Sequence, residues 1–309
     1  MPNLPFQPFI RHLQDNDRSH NTVTGYLADL ADFARWFEAT NGEQLTPAAI
    51  TPTDVRAYRQ HLLVSRKLSP NTINRRLSAV SAYCRWAMEA RLIESDPTAR
   101  IRPVQLVSHG PRWLDRKQRF ALQRVIEQER QLAAAHPDRR RSLWRARGAV
   151  IMSVLLNTGL RVAELGLLDV QDAKLKPRSG QVTVRGKGNK VRTVPLNAAA
   201  RESISHWLGL RPEVEDAALF ISQLLARITT RSIERVVAEY GHAARLERLT
   251  PHMLRHTFAK TLVDKGVSID QVATLLGHAS LNTTRIYTTP GQRDLEQAVE
   301  RMGEDGWLS

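Results

Sequence analysis

The sequence predicts a mainly α-helical chain in two parts: an all-helical N-terminal bundle, then an α-rich domain with a small antiparallel sheet. Three observations predict this. Apolar residues step by three or four through most of the 309 residues, the spacing of helices that bury one face. Only one stretch, 181–196, alternates with a period of two, and it turns over a glycine-rich tip. Between the two parts, about 102–112 has no helical period and carries Gly110-Pro111, so the expected domains are 1–106 and 107–309.

The elements follow in order. Residues 1–20 are polar and Pro-rich, with Phe6, Phe9 and Leu13 as anchors. A helix is expected from Asn21, with Tyr26, Leu30, Phe33 and Phe37 on one face, broken at Asn41-Gly42. Thr53 is a candidate cap for the next, lined by Val55, Tyr58 and Leu62. Ser69-Pro70 starts the clearest helix of this half, running to about Ala90 with Ile73, Leu77, Val80, Cys84 and Ala87 inward. Arg75, Arg76 and Arg85 lie off that stripe.

Past the break, 114–132 reads as helical, and His136-Pro137 with a run of arginines reads as an interruption. The core helix of the second half then runs to Thr158-Gly159; Arg161 opens the following helix and Glu164, three residues on, shares its face. Gln181–Val184 and Val191–Leu196 pair as a hairpin whose tip holds Lys187 between two glycines, followed by Asn189 and Lys190. That tip lacks the GxxxxGK[ST] spacing, so nucleotide binding is rejected. Two more helices follow, the second interrupted at Gly241.

Residues 249–289 read as three short helices. Thr250-Pro251 caps the first and Gly266 stops it; Ser268 caps the second and Gly277 ends it; Ser280 or Asn282 can cap the third. His252 and Arg255 share a face of the first, His278 follows the second, and Tyr287 comes nine residues later. Singly, each has an ordinary reading as surface histidine, solvated charge or core aromatic. Together they suggest a site for a phosphate and a phenolic nucleophile. A last amphipathic segment, DLEQAVERM, is too short to be stable without something to pack on.

Charge agrees with a phosphate-bearing partner. The formal net charge is +14, and residues 108–309 hold 32 of the 45 Lys/Arg against 21 of the 31 Asp/Glu, so most of the excess falls in the second half. Few aromatics interleave with the basic residues, which favours duplex backbone over single-strand stacking. No run of 18 apolar residues and no signal-peptide layout occur, and one cysteine, Cys84, excludes a disulfide framework. A cytoplasmic, nucleoid-associated protein is expected. No paired-carboxylate cluster or His/Cys spacing calls for a metal, and no nucleotide cofactor is needed.

TGLRVAEL, GKGNKVRTVPL, HMLRH, LLGH and TTRIYT, in that order, resemble the signature of the tyrosine recombinase (phage integrase) family, over about residues 20–290. The resemblance implies that the first half is a core-binding, SAM-like domain whose helix from Thr72 enters the major groove, with Arg75 and Arg76, and Lys190 on the hairpin, as DNA contacts. It implies Arg161, Lys187, His252, Arg255, His278 and Tyr287 as the catalytic set. Arginine suits the non-bridging oxygens because its fork stays charged and binds two of them. Lys187 would protonate the leaving oxygen, His252 take the phenol proton, His278 donate to the phosphate, and Glu164 orient Arg161 or a histidine. The implied reaction joins Tyr287 to a 3′-phosphate and is reversed by a 5′-hydroxyl, for integration, excision or resolution.

With about 20 residues before the first helix, the layout resembles the simple two-domain type, like Xer and transposon or plasmid resolution recombinases. The expected partner is duplex DNA with an inverted-repeat core site, bound by a homo-oligomer, a tetramer on two synapsed sites, linked by the tail, with accessory proteins as candidate further partners. A type IB topoisomerase-like strand transferase and a catalytically silent DNA-binding regulator are the alternatives. The Arg-rich stretch 128–147 has no assigned role.

Overall fold

The computed structural model describes residues 6–105, 110, 112–186, 191–277, 284, 286 and 287. The chain divides into two compact units, 1–108 and 109–309. The first is a helical bundle and the second is helical with a three-stranded antiparallel sheet, the architecture expected from the sequence. No helix among the described residues is long and apolar enough to cross a membrane.

The first unit contains α1 (Gln7–Asp15), α2 (His20–Asn41), α3 (Pro52–Gln60), which runs on into a π-turn over His61–Ser65, and α4 (Pro70–Glu89). α1 is a helix that polar composition hid: Pro8 opens it, and Phe9 and Leu13, one turn apart, are buried. Ser19 caps α2 by accepting from Thr22 N, and Gly42 ends it in the left-handed region at φ 74°. The cap of α3 is Thr51 rather than Thr53; Thr51 and Asp54 satisfy each other's backbone amides. The stripe expected on α4 is buried throughout, from Ile73 to Ala87. Aromatic edges close the core: Tyr83 meets Phe6 and Phe9 at 5.2 and 5.4 Å, and Phe33 meets Tyr58 at 4.8 Å. Asn74 pins the exit segment by bonding both the carbonyl and the amide of Val104.

The second unit is built around α6 (Arg139–Thr158), which packs against α5 (Arg116–Ala135) and α8 (Ala198–Leu210). The arginine run is therefore not an interruption but the first turns of α6. Only His136-Pro137-Asp138 breaks the path, and Asp138 caps α6 by accepting from the amides of Arg140 and Arg141. Arg147, inside α6, is buried, donates to Ile221 O at 2.6 Å and lies over the Trp144 ring.

After α7 (Val162–Leu167) come β1 (Ala173–Leu175), β2 (Gly180–Arg185) and β3 (Val191–Pro195), in the order β1-β2-β3. The β2–β3 hairpin is as expected, with Val182 opposite Val194 and both buried. β1 has only three residues and no sequence signature of its own. α9 (Thr230–Ala243) runs straight through Gly241, where a Cβ would meet Leu249 Cβ at 2.5 Å. That glycine permits close packing rather than breaking the helix. α10 (Pro251–Asp264) and α11 (Ile269–Leu276) start at the expected caps, Thr250 and Ser268. Gly277 ends α11 at φ 65°.

Candidate active site

Two arginines from two elements converge on a single carboxylate, and main-chain carbonyls hold a third close by. α6 ends at Gly159, whose φ is 62° and where a Cβ would lie 2.4 Å from the Phe258 ring. Only glycine fits that turn, and it delivers Arg161 to the N-cap of α7. Glu164, 5% exposed, accepts from Arg161 N and from Arg161 Nη1, both at 2.8 Å. It also takes a two-pronged bond from Arg192 on β3, at 2.7 and 2.9 Å. Burial alone pushes the Glu164 carboxyl up, but the bonds from Arg192 and Arg161 outweigh it and hold the group below its ordinary value.

Arg255, from α10, is 4% exposed and has no carboxylate of its own. It donates to Gly159 O at 2.6 Å and to Leu276 O at 2.7 Å, the carbonyls at the ends of α6 and α11. Helix C-termini carry partial negative charge, so they hold a cation without neutralising it. Burial first, then the nearby Arg161, lowers Arg255 to about 10, still charged at neutral pH. Arg161 reaches Gly277 O at 3.3 Å, while its side chain stays 40% exposed. Gly277 is needed twice over: for its left-handed φ, and because a Cβ would lie 2.9 Å from the Arg192 side chain. The result is two guanidiniums sharing one glutamate and a third held only by carbonyls, a local excess of positive charge suited to a phosphate.

Tyr287 is 1% exposed, within a small apolar cluster of Ala259, Val272 and Leu276 that is separate from the main core. Its Oη is 2.6 Å from Nδ1 of His256, and the two rings are 5.5 Å apart. Burial raises the phenol's pKa, and the charge of Arg255 opposes that rise. His256 is held below its ordinary value by burial, then by His252 and Arg255. In the tautomer that carries its proton on Nε2, the neutral imidazole accepts from the phenol at Nδ1. His252, one turn earlier on α10, lies beside His256 with the rings tilted at 34° and their centroids 6.4 Å apart. The sequence reading paired Tyr287 with His252. The partner in the structure is His256, and its i,i+4 spacing from His252 was the signal that could have found it. Arg192, inside the quoted motif GKGNKVRTVPL, was missed as well.

Lys187, Lys190 and His278 lie outside the described residues, as do Ser280, Asn282 and DLEQAVERM. In the first unit, Arg76 is 14% exposed and ion-paired with Asp32, with Asp29 beyond at 4.0 Å. Arg75 pairs with Asp29 but stays 55% exposed. Asp32 also accepts from Tyr58 Oη at 2.8 Å and from Arg66 at 2.8 and 3.0 Å. Arg76 is thus engaged inside the bundle, whereas Arg75 keeps an open side.

Comparison with known proteins bears on the whole length. Residues 125–293 match the Phage integrase family, and residues 6–91 match Phage integrase, N-terminal SAM-like domain. The chain is 30% identical over 303 residues to tyrosine recombinase XerC of Thermodesulfovibrio yellowstonii, covering 94% of this chain and 92% of that one. It is 36% identical over 287 residues to XerC of Corynebacterium efficiens, covering 92% and 86%. Among solved structures, XerA recombinase aligns at 27% identity with a TM-score of 0.52, covering 95% and 96%. XerH site-specific recombinase in a post-cleavage complex with palindromic difH substrate aligns at 23% identity and 0.74, covering 92% and 80%, a likeness of fold. The chain belongs to the phage integrase family, the tyrosine recombinases, and is an enzyme that cleaves and rejoins DNA.

Proposed function

We propose that this enzyme recombines two copies of a short inverted-repeat core site, with Tyr287 as nucleophile and Arg161 and Arg255 as the phosphate clamp. The observation that carries this reading is the pairing of Arg161 and Arg192 on Glu164, with Arg255 held by the neighbouring helix-end carbonyls of Gly159 and Leu276, close enough to Tyr287 for its charge to act on the phenol. The clamp neutralises the non-bridging oxygens while the phenol oxygen attacks phosphorus, the 5′-oxygen leaves, and a 3′-phosphotyrosyl link conserves the bond. Glu164 and Arg192 position Arg161. Lys187 is the proton donor to the leaving oxygen, and His252 and His278 complete the phosphate contacts.

Residues 1–106 serve as the DNA-binding domain and 107–309 as the catalytic domain, with its tail linking protomers. A XerH complex and a lambda integrase complex support the substrate class: the former holds a palindromic site, the latter a dimer on a core site. A tetramer on two synapsed sites, in the cytoplasm at the nucleoid, extends that to a full exchange. Tyr287→Phe tests the reading. It should bind DNA as the wild type does and form no covalent adduct on denaturing gels. A persisting adduct would move the nucleophile elsewhere, with Tyr240, packed on Gly148 in the main core, the next to try.

A further inference from the structure

We propose that His256 is the acceptor of the Tyr287 proton, a catalytic role that the nearby cations hold back until a phosphate arrives. This rests on Tyr287 being the nucleophile. The contact is direct: Nδ1 of His256 is 2.6 Å from the phenol oxygen, and no other hydrogen bond to that oxygen occurs among the described residues. His256 sits on the rigid α10 next to Arg255, so one helix aims both the clamp and the base.

At rest the arrangement is closed. Tyr287 is buried in its apolar cluster, and burial of His256, with the charge of the neighbouring Arg255 adding to it, opposes formation of an imidazolium. The phenol therefore keeps its proton. A phosphodiester entering between Arg161 and Arg255 brings one negative charge, which offsets those cations and makes the imidazole a better base. The O–H bond of Tyr287 then breaks, its proton passes to Nδ1, and Oη bonds to phosphorus as the bond to the 5′-oxygen breaks. The leaving 5′-oxygen takes its proton from Lys187, the donor of the proposed function. In the reverse step His256 returns its proton to the departing phenolate. Premature ionisation of a nucleophile in the absence of DNA is avoided by the same contact that later activates it.

The test replaces His256 with Asn, whose side-chain oxygen can stand where Nδ1 stands and accept the hydrogen bond but cannot take the proton. The substrate is a nicked duplex carrying the core site recovered by sequencing DNA trapped on the wild-type protein. Single-turnover cleavage by His256→Asn should fall by about 100-fold. Placing 3,5-difluorotyrosine, a more acidic phenol, at position 287 should restore about 10-fold of that loss in the variant and little in the wild type. His256→Asn cleaving at the wild-type rate, or slowly with no recovery, overturns the proposal. So does a larger, recoverable loss in His252→Asn.

A second measurement needs no DNA. In ¹⁵N-histidine-labelled protein, Tyr287→Phe should shift the Nδ1 resonance of His256, the signal absent from His256→Asn; an unmoved resonance also overturns the contact. If Tyr287→Phe still forms an adduct, the assignment of the nucleophile has failed. If it forms none and His256→Asn is unimpaired, only the present inference has.

Discussion

Both units hold clustered arginines, and the two clusters are satisfied in different ways. In the bundle, Asp29 and Asp32 stand against Arg35, Arg66, Arg75 and Arg76, so each guanidinium of the cluster touches a carboxylate. In the catalytic unit, one carboxylate, Glu164, serves Arg161 and Arg192, and Arg255 has only helix-end carbonyls. A carboxylate cancels a guanidinium's charge; a carbonyl orients the group and leaves most of the charge available. The bundle's arginines are thus mainly spent on joining α2, α3 and α4. In the catalytic unit Arg255 is aimed but not neutralised, which is what a transition state gaining negative charge requires.

The sharpest way to break this comparison is at Arg255. Arg255→Lys keeps the charge but cannot span Gly159 O and Leu276 O and still present a fork to phosphate. Adduct formation in single turnover should fall about 10³-fold with DNA binding largely kept. A loss of only a few-fold would mean that a point charge is enough there.

Glu164→Gln gives the next largest effect, this time on stability. It leaves Arg161 and Arg192 around an uncharged amide, and breaking a buried pair in this way costs about 3 kcal/mol. The thermal transition of the catalytic unit should drop by roughly 6–12 °C. The pH dependence has a definite sign. Glu164's folded value lies below its ordinary 4.5, so its contribution is present above 4.5 and is lost as pH falls through the folded value. Wild-type stability should therefore decline below about pH 4.5, and Glu164→Gln should remove part of that decline. Arg76→Ala is the matching change in the bundle. Asp32 would keep Arg66 and Tyr58, so calorimetry should register a smaller loss, on the order of 1 kcal/mol.

The sequence disclosed most of what local rules control. Caps at Thr250 and Ser268, glycine stops at Gly42, Gly159 and Gly277, and the buried stripe of α4 are written in short-range patterns. What escaped depended on contacts distant in the chain. Gly241 reads as a breaker until Leu249 is seen against it. Arg192 looks like one basic residue among several on a hairpin, and only the fold brings it to Glu164, 28 residues away. His256 was visible in HMLRH, yet its partner lies 31 residues on. Arg75 and Arg76 look equivalent in sequence, and what separates them is which of α2's aspartates each meets, Asp29 or Asp32, and how far each is covered.

That last difference gives the smallest effect and the most direct test of the comparison. If charge must be free to meet DNA, Arg75 and Arg76 should differ although they are adjacent. Arg75 is about half exposed and can leave Asp29 for a phosphate, whereas Arg76 is mostly covered and holds Asp32. For an enzyme making ~6–10 phosphate contacts, affinity for a nonspecific duplex should fall about 10³–10⁵ between 50 and 200 mM salt. Arg75→Ala should lower the slope of that log–log plot by about 1, the loss of one phosphate contact. Arg76→Ala should leave the slope unchanged and act only through stability. Equal slope changes would show that Arg76 abandons Asp32 when DNA binds. In that case the bundle's ion pairs are resting partners, and the distinction drawn between the two clusters holds only without DNA.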